Sequence, residues 1–448
     1  MSTALLPGAA QEHLVFEPAV PWVLPFAALL LGIAFLPLFA ARWWHPNRNK
    51  LLVALACGLP IAGLFVVQGD GASVAHTLHE YTSFLILLAA LYTISGGIVL
   101  TGDLRATPWV NAAFLLIGAV LASFMGTTGA AMLLVRPLLK TNSERAYKVH
   151  TVVFFIFLVC NMGGCLTPLG DPPLFLGYLR GVPFGWTLGL WKEWAFMAGA
   201  LLALYLVLDH FYYRKEPAPR RIADLQQVQP LRLRGQLNFL WLGGVMAAVA
   251  LLTFRNLQQW LAVSEFMASF VRDGVLASLG FLAYATTSRQ VRRTNEFTWA
   301  PILEVAFLFF GIFLSMMAPI RLLQLHGGEL GLHTPVQFFW ATGALSSFLD
   351  NAPTYAVFFA TARSVAESAG MTGIVDGTGV PHPLLVAVSL GAVFMGANTY
   401  IGNAPNFMVK AIAEESRVKM PSFFGYMGYS IAILIPLFAA VSVLFLRA

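Results

Sequence analysis

The sequence predicts an all-α polytopic membrane protein. It is organised as two inverted-topology repeats, each with five crossings (one a broken helix) and a re-entrant hairpin. Three observations predict this. The 448-residue chain is 58% hydrophobic and 11% charged, with mean hydropathy +0.73, which excludes ordinary soluble enzymes and disordered chains alike. Apolar runs of about 20 residues, the length that crosses a bilayer, recur from end to end. Glycines, prolines and polar residues interrupt these runs at related places in the two halves. The net charge of +6 would suggest a nucleic-acid partner in a soluble protein. Here it is expected to reflect basic loops on the cytoplasmic side of a bilayer, with no nucleic acid bound.

The first candidate span is 22–41, preceded by a stretch without the basic n-region of a signal peptide. Arg42, Arg48 and Lys50 follow it, which predicts an uncleaved span with its N-terminus outside. Spans at 51–68 and 82–101 come next. The stretch 109–140 is interrupted at Gly126-Thr127-Thr128-Gly129, and its arms are short for two crossings, so a hairpin is predicted. Residues 147–180 form a broken span, because Pro168, Gly170, Pro172 and Pro173 cannot lie in a continuous helix. A span at 188–210 completes the first repeat, 1–211. Residues 212–236, rich in Arg, Gln and Pro, read as a cytoplasmic linker.

The second repeat, 237–448, has spans at 237–254, 274–287, 301–323 and 423–446. Its hairpin, 335–363, is interrupted at Asp350-Asn351-Ala352-Pro353, and its broken helix is 383–415. With the hairpins not crossing, there are ten crossings. Most basic residues then fall on one face, while the opposite loops hold fewer: Arg180, Arg255, Arg272, Arg321 and Arg363. This asymmetry predicts both termini outside a bacterial-type inner membrane.

The repeat is visible as constant offsets. Glu80 plus 224 gives Glu304, and Leu121-Ala122-Ser123-Phe124 plus 224 gives Leu345-Ser346-Ser347-Phe348. Leu169-Gly170-Asp171-Pro172-Pro173 plus 232 gives Ile401-Gly402-Asn403-Ala404-Pro405. An odd number of crossings per half inverts the second half, the arrangement of secondary transporters with a site at the repeat interface.

Four helix breaks are therefore expected to converge. Helix ends at a break expose carbonyls and amides, and side-chain oxygens are concentrated there. The predicted ion-binding residues are Asp171, Asp350, Asn351, Thr127, Thr128, Thr167, Asn403, Asn398, Thr399 and Thr354, with Asn406 nearby. A carboxylate at the bilayer centre costs on the order of 2.5–3.5 kcal/mol. Asp171 and Asp350 are accordingly the candidate Na+ ligands, holding a cation or a proton in turn. The plainer alternative is that each aspartate caps the helix after it. Glu80 and Glu304 are candidates for a proton pathway, or first-turn acids favoured by the helix dipole. His76-Thr77-Leu78-His79-Glu80 is expected in a solvated external loop, and Arg136 is expected to snorkel to the cytoplasmic face. Cys57, Cys160 and Cys165 have no metal-site spacing.

At these residues the chain resembles the ion transporter superfamily, in particular its NhaD-type sodium/proton antiporter and citrate-transporter branch. TPLGDPP at 167–173 is similar to the TPxGD segment of that branch, and FLDNAPT at 348–354 to its DN-P hairpin tip. The resemblance implies a homodimer in which a transport unit moves against a scaffold, with Asp171, Asp350 and Asn351 at the cation site. The paired Ser-Asn-Thr motifs of the dicarboxylate carriers are absent.

The resulting expectation is a secondary transporter exchanging Na+ (or Li+) for H+ by alternating access, without a cofactor. The alternative is a cation-coupled carrier of citrate or another carboxylate. A membrane-embedded enzyme would need a nucleophile–base pair or metal cluster at the interface, and the sequence offers none.

Overall fold

The computed structural model describes residues 16–447. The reading of the N-terminal stretch as free of a signal peptide concerns mainly residues 1–15, which lie outside them. The first half contains α1 (Leu24–Phe39), α2 (Ala41–Trp44), α3 (Asn47–Val67), α4 (Gly71–Ser95), β1 (Val99–Asp103), α5 (Pro108–Met125), α6 (Thr127–Thr141), α7 (Val149–Leu158), α8 (Pro172–Leu179) and α9 (Trp191–Arg214). A connection follows, with α10 (Ala218–Gln226) and β2 (Gln229–Arg234). The second half contains α11 (Leu237–Leu251), α12 (Phe254–Leu261), α13 (Glu265–Thr286), α14 (Arg289–Thr294), α15 (Ala300–Ser315), α16 (Met317–His326), α17 (Pro335–Ser346), α18 (Asn351–Ser368), α19 (His382–Met395), α20 (Ala404–Glu415) and α21 (Phe423–Phe445).

Among the described residues, eight helices are long and apolar enough to cross a membrane, or nine if the α11–α12 pair, bent by 80°, is one span. The protein is an all-α polytopic membrane protein, with one small two-stranded ribbon. The broken helices contribute shorter apolar segments, Val149–Cys165 and His382–Asn398. From His150 onward every residue of α7 is buried, as expected of a helix that is apolar on all sides.

Several expectations need correction. The third span is not 82–101: α4 begins eleven residues earlier, at Gly71, where the Asp70 carboxylate caps the Ser73 amide. The apolar run marked only the buried part of this helix. His76 to Glu80 are therefore helical, not a loop. Residues 99–103 turn instead into β1, which pairs antiparallel with β2, Val99 facing Arg234 and Asp103 facing Gln229. The linker 212–236 is thus structured. The alternation Leu231-Arg232-Leu233-Arg234 was its period-two signal.

The arms of the first hairpin are also not both short. At 18 residues, α5 is about 27 Å long. What makes it a hairpin is that the chain reverses at Gly126, whose φ of 81° suits glycine. Gly118 then lies against Leu134. Asn111 and Asn142 exchange reciprocal amide hydrogen bonds of 2.9 and 2.8 Å across the open end.

Two groups of helices result. Helices α3, α4, α13 and α15 pack on one another, and α5 to α8 pack with α17 to α20. Within the second group the halves interlock: α20 lies on α6 and α7, and α18 lies on α8.

Candidate functional site

All four breaks meet at Asp171. Its side chain is 1% exposed. Thr127, the first residue of α6, donates its hydroxyl to Oδ1 at 3.3 Å. Asn351, the first residue of α18, donates its amide to Oδ2 at 2.8 Å. Asn403, just before α20, donates to Oδ1 at 3.3 Å. Each partner begins a different half-helix, and Asp171 itself precedes α8.

Asp171 occupies the N-cap position of α8 but caps nothing. The reason is local: Pro172 and Pro173 fill the first two helical positions and have no amide hydrogen to give, and the next amide, that of Leu174, goes to the Asp171 carbonyl at 3.0 Å. The carboxylate is thereby left to the three neutral donors. Asp350 behaves differently. It is half-buried, and its Oδ1 accepts from the Ala352 amide at 3.0 Å, an ordinary helix cap. Of the two acids, only Asp171 is buried without a local structural use.

Two buried acceptor atoms in these breaks, Asn351 Oδ1 and Asn398 Oδ1, have no hydrogen-bond partner among the described residues. The orientation of Asn351 follows from its neighbour, since the flipped amide would set its oxygen against the Asp171 carboxylate. A buried acceptor left unpaired costs on the order of 1–3 kcal/mol. An oxygen-seeking cation beside Asp171 would satisfy the Asn351 oxygen.

Other predicted residues hold the breaks in shape. Thr167 donates its hydroxyl to the Ser123 carbonyl and accepts from the Leu169 amide at 3.2 Å. Thr399 does the same in the second half, donating to the Ser347 carbonyl at 2.5 Å and accepting from the Ile401 amide at 3.2 Å. Thr354 returns its hydroxyl to the Asp350 carbonyl at 2.9 Å. Asn398 donates to Ser347 Oγ at 2.9 Å. Thr128 is half-buried, and no hydrogen bond of its hydroxyl is seen among the described residues.

Glu80 and Glu304 do not reach this cluster. Glu80 lies within α4, 3.7 Å from Arg180, and Glu304 pairs with Lys50 at 2.8 Å. Arg136 pairs with Glu296.

Sequence reasoning passed over Asn161 as a site residue. It is fully buried and donates to Asn406 Oδ1 at 2.8 Å, while Asn403 Nδ2 approaches its Oδ1 at 3.4 Å. A lone asparagine ending the run VFFIFLVC was the available signal. A second cluster also went unread. Asp209 on α9 accepts from Arg145 at 2.9 Å, His150 at 2.8 Å and Tyr205 at 3.0 Å, which anchors the open end of the first hairpin.

These features gather a buried carboxylate and unpaired side-chain oxygens within a bundle of broken helices. No curated protein is similar to the chain at a significant level. A family profile described as "Putative citrate transport" matches residues 16–446. The protein is thus a polytopic membrane transporter, and the chain belongs to this citrate-transport family.

Proposed function

We propose that the protein is a cation-coupled carrier of a citrate-type carboxylate, with the coupling cation held at Asp171. The carrying observation is that Asp171 is buried where four helix breaks meet, among three neutral donors and, among the described residues, with no hydrogen bond from a basic side chain. A buried carboxylate without a basic partner calls for a proton or a cation to neutralise it. Na+ accepts hard oxygen ligands of the kind present here. Release and rebinding of that cation would accompany each passage of cargo. The family match supports a carboxylate cargo, taken free or as its metal complex.

The two repeats, 1–211 and 237–448, supply the site jointly in this reading: Asp171 and Thr127 come from one, Asn351 and Asn403 from the other. Alternating access would move α5 to α8 and α17 to α20 against the α3, α4, α13 and α15 group. The charge bias supports an orientation with both termini outside.

A second reading, Na+ (or Li+) exchange for H+, is favoured by the same lack of a basic group at Asp171, since one carboxylate then alternates between proton and metal. Purified protein in proteoliposomes separates the two. Uptake of labelled citrate driven by an imposed Na+ or H+ gradient is the expected result. Collapse of a pH gradient by Na+ with no citrate uptake would establish exchange instead.

A further inference from the structure

A cavity of about 340 Å³ opens between the two groups of helices, and Asp171 is not among the residues that line it. Its size falls within the range of about 300–1,000 Å³ typical of small-ligand sites. Three arginines line it: Arg180, Arg321 and Arg363. All three are among the few basic residues that the sequence reading places on the non-cytoplasmic face. Basic residues are sparse on that side, so their convergence from three separate elements calls for an explanation beyond chance.

Each guanidinium is only partly used. Arg321 gives one nitrogen, Nη2, to both Asp70 at 2.6 Å and Ser73 at 3.2 Å. Arg363 gives Nε to Glu367 at 3.0 Å. Arg180 gives Nη1 to the Ala356 carbonyl at 3.3 Å, and its nearest acid is Glu80, at 3.7 Å. Guanidinium edges therefore stay free for an anion, and their planar fork fits a carboxylate with two parallel hydrogen bonds. The charged groups also grade inward, with side chains 52% exposed at Arg363, 17% at Arg321 and 14% at Arg180. Apolar walls from Phe65, Phe313, Met317 and Phe359 would lower the local dielectric and strengthen each contact.

We infer that this cavity is a binding site for a polycarboxylate anion, engaged by Arg180, Arg321 and Arg363, with Glu80 competing for Arg180. The site rests on the carboxylate reading for its choice of ligand but not for its geometry. Two half-helices tie it to Asp171. Asp171 immediately precedes α8, and Arg180 immediately follows that helix, about 12 Å further along. Asn351, which holds Asp171, begins α18, and Arg363 lies on the same helix about 18 Å on. An anion drawing Arg180 and Arg363 together would thus act on the two elements that shape the cation site.

The test uses the full chain in nanodiscs, without Na+ and at fixed ionic strength, and measures citrate binding with acetate as the monovalent control. Arg321→Gln and Arg363→Gln should each weaken citrate about tenfold, whereas Glu80→Gln should tighten it about threefold. Tightening is not something a merely folding-related role of Glu80 would produce. Citrate binding that ignores the arginines would overturn the site, as would no binding at all. Failure of the cargo reading looks different: arginine-dependent binding persists, but proteoliposomes show no citrate flux.

Discussion

Asn351 and Asp171, 180 residues apart in sequence, are joined by a 2.8 Å hydrogen bond between the tip of the second hairpin and the break of the first half. Neither half can complete the site alone. Asn351→Leu keeps the volume and removes the donor, so the folded protein should remain while cation-dependent transport falls at least about tenfold. That loss corresponds to roughly 1.4 kcal/mol, ordinary for a hydrogen bond to a charged group. Asp350→Asn should have little effect on the cation dependence, because asparagine caps a helix about as well as aspartate. Paired flux assays on the two variants check this contrast.

The hydroxyls of Thr167 and Thr399 perform the same two bonds in the two halves. Replacing either by valine strands a buried amide and a carbonyl. Each variant is expected to lose about 1–3 kcal/mol of stability, and by similar amounts. Thermal unfolding in detergent measures it, and a large cost from only one of them would deny the equivalence of the breaks.

Much of this was legible in the sequence, and the reasons are specific. Prolines and glycines in apolar runs marked all four breaks, because backbone freed in a membrane must be used by the protein. The offsets of 224 and 232 paired Ser123 with Ser347 and Thr167 with Thr399, whose bonds match. Helix ends were less legible. At α4, the Asp70 cap extends the helix through a polar turn that hydropathy ignores. The surroundings of Asp171 and Asp350 differ for a reason residue type does not carry: after Asp171 two prolines have no amide hydrogen and the Leu174 amide goes to the backbone, while Ala352 offers its amide to the Asp350 carboxylate. The arginine cavity and the Asp209 cluster were beyond reach, since both gather residues from distant segments.

Arg145 donates Nη1 to Asp209 Oδ2 at 2.9 Å and holds Nη2 2.6 Å from Oδ1, an ion pair with side chains 3% and 0% exposed. Arg145→Met strands the Asp209 charge and should cost about 3–5 kcal/mol, seen as loss of folded protein on gel filtration. Removing the charge as well, in Arg145→Met/Asp209→Asn, should recover a substantial part of it. No recovery would mean that Arg145 acts through packing.

Asp103, in the ribbon outside the spans, is buried. Burial first, and then the nearby Glu144, push its carboxyl above the usual range, with Lys140 opposing. A raised native value means the ionised form is disfavoured by folding, so this contribution to stability is largest at low pH and is lost as pH rises through the native value. Asp103→Asn should therefore raise the melting midpoint at pH 7 by about 1–2 °C, and the gain should shrink as pH falls below 5. Melting curves across pH decide it, and a gain that grows on acidification would be the opposite of the expectation.

Citrate uptake into proteoliposomes as a function of external Na+ or H+ tests most directly whether Asp171 holds the coupling cation. Wild type should show uptake that saturates with the driving cation. Asp171→Asn, which keeps the size of the side chain and loses the charge, should fold and lose that dependence. Uptake by Asp171→Asn with an unchanged cation dependence would contradict the account.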